Sequence, residues 1–197
     1  MKKDTVKKIR LQNRDKDIIQ FLKDFKCATT STISKLYFSS NNSLRSCQRR
    51  LKYLEQWGYI KGYQENVITE KFWYCNRKPK NLKHALKLSE FVGELKVHNI
   101  ELIKHKTPYK IENVIADSFM AIRYNNKNHI MFIEVEMGTK GFNNEKYEEL
   151  YMSRKYKDYF PIMPTVVVVG NGKVKTSNNY KVINVKLDLS NIRDIIS

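Results

Sequence analysis

Three carboxylates are spaced for chemistry on phosphate esters. Asp117 stands at the start of one apolar run, and Glu134 and Glu136 lie two apart on the next. The alternation of a strand would put both glutamates on one face and Ile133, Val135 and Met137 on the other. Like charges so placed repel, and burying them is costly unless a cation or a basic side chain joins them. Clustered carboxylate oxygens are what Mg²⁺ or Mn²⁺ uses to activate water and steady a scissile phosphate. Asp117, Glu134 and Glu136 are therefore the candidate metal ligands and catalytic set. Lys140 and Lys146 follow closely enough to stabilise developing charge, or, with Lys155, simply to pair with the glutamates of a half-exposed strand. No Ser-His-Asp set or Cys-His pair accompanies them, and Gly170-Asn171-Gly172 is too short to cradle a phosphate.

A second group points to nucleic acid. Over residues 44–57, at 100° per residue, Leu44, Cys47, Leu51 and Leu54 fall on one helical face. Arg45, Arg49 and Lys52 fall opposite, with Gln48 beside them. Arg and Gln present the forked donors that read guanine and adenine edges in the major groove. A recognition helix needs this division, one face locked in a core and the other open to a duplex. An ordinary helix with a solvated basic face would look the same in isolation, so the neighbouring elements decide between the two.

Those neighbours follow the order of a winged helix-turn-helix. Ile18, Ile19, Leu22 and Phe25 form a helical stripe from Asp15 onward. A polar break at 27–31 offers Thr29, Thr30 or Ser31 as a cap for a short helix carrying Ile33, Leu36 and Tyr37. A turn at 39–43 precedes the two-faced helix, with Ser43 as its N-cap, and Gly58 ends that helix. Strand-like runs at 59–63 and 71–75 then flank a polar turn, placing Lys61 and Lys71 where a hairpin would hold phosphates. The expected organisation is a basic arm at 1–14, the winged helix at 15–80 and an α/β unit at 81–197.

In the second unit a long amphipathic helix is expected over 82–103, with Ala85, Leu88, Val92, Leu95, Asn99 and Leu102 in its stripe. Such a stripe serves either as core or as a homodimer seam, and its polar Asn99 and short length favour core. Strands at 114–124 and 129–137 flank an Asn-rich turn at 125–128. A charged helix over 143–160, a buried central strand at 165–169, another strand at 180–187 and a short final helix at 191–196 complete it.

Charge agrees with this division. The chain has 197 residues, 37 Lys/Arg against 20 Asp/Glu, and a formal net charge of +17. Residues 1–80 carry 19 Lys/Arg and 7 Asp/Glu, so +12 of that excess lies in the first unit. A basic unit suits a polyanion because each neutralised phosphate releases condensed counterions; a general bias toward lysine would also raise the charge. The twelve tyrosines could stack on RNA bases, but they are scattered and form no RNA-binding motif. Cys27, Cys47 and Cys75 are odd in number and far apart, as expected of free thiols in a reducing cytoplasm. His84 and His98 are read as structural. No apolar stretch reaches the ~20 residues of a membrane span, and the charged start Met1-Lys2-Lys3-Asp4 does not read as a secretory leader.

Several of these residues, in this order, resemble the replication-relaxation family of plasmid and integrative-element proteins. The similarity lies in Ser43-Leu44-Arg45, Arg49-Arg50-Leu51, Leu54 and Trp57-Gly58-Tyr59-Ile60. It continues in His84-Ala85-Leu86 with Ser89-Glu90, Ala116-Asp117, the run from Phe132 to Thr139, and Lys146-Tyr147. The resemblance implies a winged helix that binds double-stranded plasmid DNA in replication, relaxation, transfer or transcriptional control, among replication or relaxosome partners. It also implies an α+β fold whose C-terminal α/β part has a mixed sheet like a PD-(D/E)xK nuclease core. In that core Asp117, Glu134 and position 136 would form the catalytic set. Position 136 is Glu where the pattern has Lys, and Ala116 stands where it has Pro, so both a metal-dependent endonuclease and a non-catalytic fold remain open.

Overall fold

A computed structural model describes residues 10–38, 43–138 and 141–197. Residues 1–9, 39–42 and 139–140 lie outside it, and with them most of the expected basic arm, most of the expected turn before the two-faced helix, and Lys140. The fold is mixed α+β, with five α-helices and a mixed five-stranded sheet among the described residues. The chain divides into two compact units, Met1–Gly93 and Glu94–Ser197. The division falls inside a helix, not at residues 80–81 ahead of it.

The first unit runs α1 (Asn13–Asp24), β1 (Ala28–Thr29), α2 (Thr30–Tyr37), α3 (Ser43–Gln56), β2 (Lys61–Tyr63) and β3 (Phe72–Tyr74). Thr29 caps α2, its hydroxyl accepting from Thr32 N at 3.2 Å. Helix α3 ends where Gly58 turns to φ +74°, which lets Tyr59 N donate back to Leu54 O at 3.0 Å; glycine carries no Cβ penalty in that conformation. The hairpin strands are shorter than the expected runs. Two residues of β1 add a third strand, in the antiparallel order β1-β3-β2. The sequence could not show β1, because two residues make no period.

The next helix, α4 (Leu82–Val97), stops earlier than its stripe implies. Asn99 adopts φ +55°, and Ile100 N donates to Leu95 O at 2.8 Å. Asparagine tolerates the left-handed conformation and closes a helix much as glycine does. Leu102, counted in the helical stripe, lies instead in β4 (Glu101–Lys106).

The second unit continues with the small hairpin β5 (Tyr109–Ile111) and β6 (Val114–Ala116), then β7 (Ser118–Tyr124) and β8 (Lys127–Glu136). Tyr124 pairs with Lys127, so the connection is two residues, not four, and Asn125 and Asn126 both take positive φ as that tight turn requires. Helix α5 (Glu145–Met152) leads to β9 (Thr165–Gly170) and β10 (Val182–Val185). The sheet order is β10-β9-β8-β7-β4: β4, β7 and β8 are antiparallel neighbours, and β8, β9 and β10 are parallel. Val166 to Val169 are fully buried, as expected, although β8 is the middle strand. The helix expected over 143–160 is broken: Arg154 takes φ +58° and a 3-10 turn, Lys155–Asp158, follows. No glycine or proline marks that break in the sequence.

Candidate functional site

Helix α3 has the two faces its spacing predicts. Cys47, Leu51 and Leu54 are each 0% exposed, and burial of a leucine side chain contributes about 1.5–3 kcal/mol. Arg45, Gln48, Arg49 and Lys52 are all exposed. Leu44 corrects the expected apolar stripe: it is 47% exposed, at the rim of the buried face.

Two contacts fix how α3 is held. Asp15, fully buried at the start of α1, accepts from Arg50 Nε at 2.7 Å on Oδ1 and from Gln12 N at 2.7 Å on Oδ2, where the second arm of the Arg50 guanidinium also meets it. Burial by itself would raise the Asp15 carboxyl; the Arg50 fork and the Gln12 amide outweigh it and hold the group below its ordinary value. The same Arg50 lies 5.6 Å over the Trp57 ring. On the other flank, Glu55 accepts from Gly62 N at 2.9 Å and from Lys71 Nζ at 2.8 Å, tying the hairpin to α3. A side chain at Gly62 would collide with that ion pair, its Cβ falling 2.0 Å from Lys71 Cε.

Lys71 is therefore placed differently from its expected role. It is held by Glu55 and sits 4.3 Å over the Trp73 ring, so its charge is spent within the unit. Lys61 is exposed, with one long contact to Asn76 O at 3.4 Å. At the hairpin tip, Asn66 and Thr69 organise the loop and leave Val67 and Ile68 almost wholly exposed.

In the second unit the carboxylates are arranged differently from the expected triad. Ser118 pairs with Ile133, and one further step along that register sets Asp117 opposite Glu134. Asp117 Oδ2 accepts from Val135 N at 2.8 Å. Glu134 is buried, and its Oε1 receives Tyr147 OH at 2.5 Å and Lys146 Nζ at 2.6 Å, both from α5. Lys146 also donates to Ile115 O at 3.0 Å. Burial pushes the Glu134 carboxyl above its ordinary value, the two donors oppose that, and the Asp117 charge adds to it. Burial and the neighbouring Glu134 likewise push Tyr147 well above the ordinary phenol value.

This donor set does not fit the expected Mg²⁺ or Mn²⁺ site. Among the described residues no three carboxylate, imidazole or thiol groups gather closely enough to hold one ion. Glu136 thus does not complete a set with Asp117 and Glu134. The ammonium of Lys146 stands where a cation would neutralise Glu134. Residue type alone does not mark Tyr147 as a site residue; its buried hydroxyl matters only because the sheet and α5 meet there.

The cluster makes a definite prediction for stability. Glu134→Ala strands the fully buried Tyr147 hydroxyl, which costs about 1–3 kcal/mol. Glu134→Gln keeps an acceptor and should lose less. Because the folded carboxyl is raised, its contribution is fully present below the unfolded value and is lost as pH rises through the folded one. Urea melts at pH 4 and pH 7 should therefore show wild type losing ground to Glu134→Gln at the higher pH. A parallel pH response in both proteins would remove this account of the cluster.

No family model, curated protein or solved structure matches this chain significantly. No helix among the described residues is long and apolar enough to cross a membrane.

Proposed function

We propose that the chain is a double-stranded-DNA-binding protein whose first unit acts as a winged helix-turn-helix, with α3 lying in the major groove. One observation carries this reading: Arg45, Gln48, Arg49 and Lys52 are exposed on one side of a helix whose other side, Cys47, Leu51 and Leu54, is sealed in the core. Arg45, Gln48 and Arg49 approach base edges, and Lys52 and Lys61 neutralise phosphates. The β2-β3 hairpin serves as the wing, positioned by the Glu55–Lys71 pair. The process served is replication, relaxation or transfer, or transcriptional control, of a plasmid or mobile element, as the resemblance to replication-relaxation proteins implies.

Fluorescence anisotropy of a labelled duplex pool, titrated with the full chain at several salt concentrations, tests the binding. With the two phosphates that Lys52 and Lys61 neutralise, affinity falls by roughly tenfold between 50 and 200 mM salt. Affinity that is undetectable at 50 mM salt would remove the proposal.

The second unit, in this reading, has a nuclease-like sheet without a working metal centre, because Lys146 and Tyr147 already satisfy Glu134. Supercoiled plasmid incubated with the protein and Mg²⁺ or Mn²⁺ should stay supercoiled. Nicking that disappears in Glu134→Gln would establish the endonuclease alternative instead.

A further inference from the structure

The exposed ridge of α3 is flanked by two clefts of opposite character. Toward the hairpin, a cleft of about 640 Å³ is lined by Gln48, Lys52, Glu55, Glu70 and Lys71 among others. Its two carboxylates are committed, Glu55 to Lys71 and Gly62, and Glu70 to Ser31 N at 2.6 Å and Ser31 Oγ at 3.0 Å. Toward α1, a cleft of about 500 Å³ is lined by Gln12, Arg14, Ser46, Arg49, Arg50 and Tyr53, with Tyr37 and Phe38 at its side. Among the described residues no carboxylate lines it.

The charges around the second cleft do not cancel. Arg50 is paired with Asp15, a carboxylate on which the Arg14 charge also acts, but Arg14 and Arg49 form no ion pair of their own among the described residues. Arg14 is held from one side, its guanidinium carbon 4.2 Å over the Phe38 ring. Its Nε is buried and makes no hydrogen bond within the described protein. A buried donor without an acceptor is costly, and a guanidinium offers the planar fork that suits phosphate. Ser46 and Tyr53 add neutral hydroxyl donors. Ser46, Arg49, Arg50 and Tyr53 follow at i, i+3, i+4 and i+7, so they form one stripe along α3, next to the base-reading ridge.

We infer that this cleft is a phosphodiester-binding site: Arg14, with Ser46 and Tyr53, clamps one backbone phosphate of the duplex strand bordering the groove that α3 enters. This rests on the DNA-binding reading and adds Arg14, which base readout alone does not call for. A backbone contact carries no sequence information, so the cleft sets register and affinity while Arg45 and Gln48 set preference. Arg49 lies between the two groups and borders both.

The test uses the full chain with duplex DNA, measuring affinity against salt for Arg14→Ala and for the double variant Ser46→Ala/Tyr53→Phe. Arg14→Ala should weaken binding about tenfold for every duplex sequence tested and make the log–log salt slope shallower by about 0.9, one phosphate's worth of counterions. Ser46→Ala/Tyr53→Phe should weaken binding several-fold at an unchanged slope, since hydroxyl donors release no counterions. Should Arg14→Ala melt early, the hydroxyl variant decides: wild-type affinity there overturns the clamp. A well-folded Arg14→Ala with the wild-type slope overturns it too, while leaving α3 as the DNA reader. Wild-type protein that binds no duplex defeats both readings together. A clamp used by free phosphate instead of DNA would appear as a thermal shift with inorganic phosphate, abolished by Arg14→Ala, beside an unchanged duplex slope, and would overturn the assignment to the DNA backbone.

Discussion

Replacing Arg45 and Arg49 together by alanine is expected to weaken duplex binding by roughly 30-fold to 10⁴-fold, from about 1–3 kcal/mol per base contact. Both side chains are exposed on α3, and neither reaches into the core formed by Cys47, Leu51 and Leu54. The double variant should therefore melt like wild type while losing sequence preference. Selection from a randomised duplex pool separates the two consequences: wild type should enrich a motif, and the variant should return an unenriched pool with weak residual binding. A variant that enriches the same motif at the same affinity would show that α3 is not the reader. Arg50 is a deliberate contrast. It neighbours Arg49 in sequence, yet it is locked to Asp15, so Arg50→Ala should act on folding first.

The second large effect follows from that pair. Asp15→Ala removes a fully buried carboxylate that joins the start of α1 to α3. Breaking a buried pair on one side costs about 3–5 kcal/mol, and the lower end applies here because Arg50 keeps some contact with solvent and with Trp57. For a unit of this size that is a fall in melting temperature of well over 10 °C by the usual scaling of about 4–8 °C per kcal/mol. The pH dependence has a fixed sign. The folded carboxyl is depressed, so its contribution is present above the unfolded value, near 3.9, and is lost as pH falls through the folded one. Acid denaturation followed by circular dichroism should show wild type converging on Asp15→Ala as the pH drops below about 4. If the gap between them persisted to the lowest pH, the Asp15–Arg50 pair would not be its source. Because the pair also sets the seat of α3, Asp15→Asn is expected to lower DNA affinity in proportion to its loss of folded protein.

The cysteines carry a smaller lesson of the same kind. Burial pushes Cys27 and Cys47 up to about 12, so both are inert neutral thiols at neutral pH. Cys47 belongs to the sealed side of α3, where its Sγ lies 3.6 Å from Thr30 O.

Local order was readable from local residues. Gly58 ends α3 because a left-handed residue was needed there, Asn125-Asn126 turns a hairpin for the same reason, and the α3 ridge followed from 3.6-residue periodicity. Nearest-neighbour sterics and side-chain period act within a few residues, so sequence alone determined them. What joined distant residues was decided only by the tertiary structure. Thr30 meeting Trp73 Nε1 at 2.9 Å, Lys71 turned onto Glu55, Asp15 gripping Arg50 and Glu134 answered by Lys146 and Tyr147 span 12 to 43 positions. Each depends on which side chain lies nearest in a desolvated space, where an unpaired charge or hydroxyl is costly and the first available partner takes it. The same cause ends α4 at Val97 and recruits Glu101–Lys106 as an edge strand: pairing with β7 outweighs the continuation of an amphipathic stripe that local spacing alone would have extended.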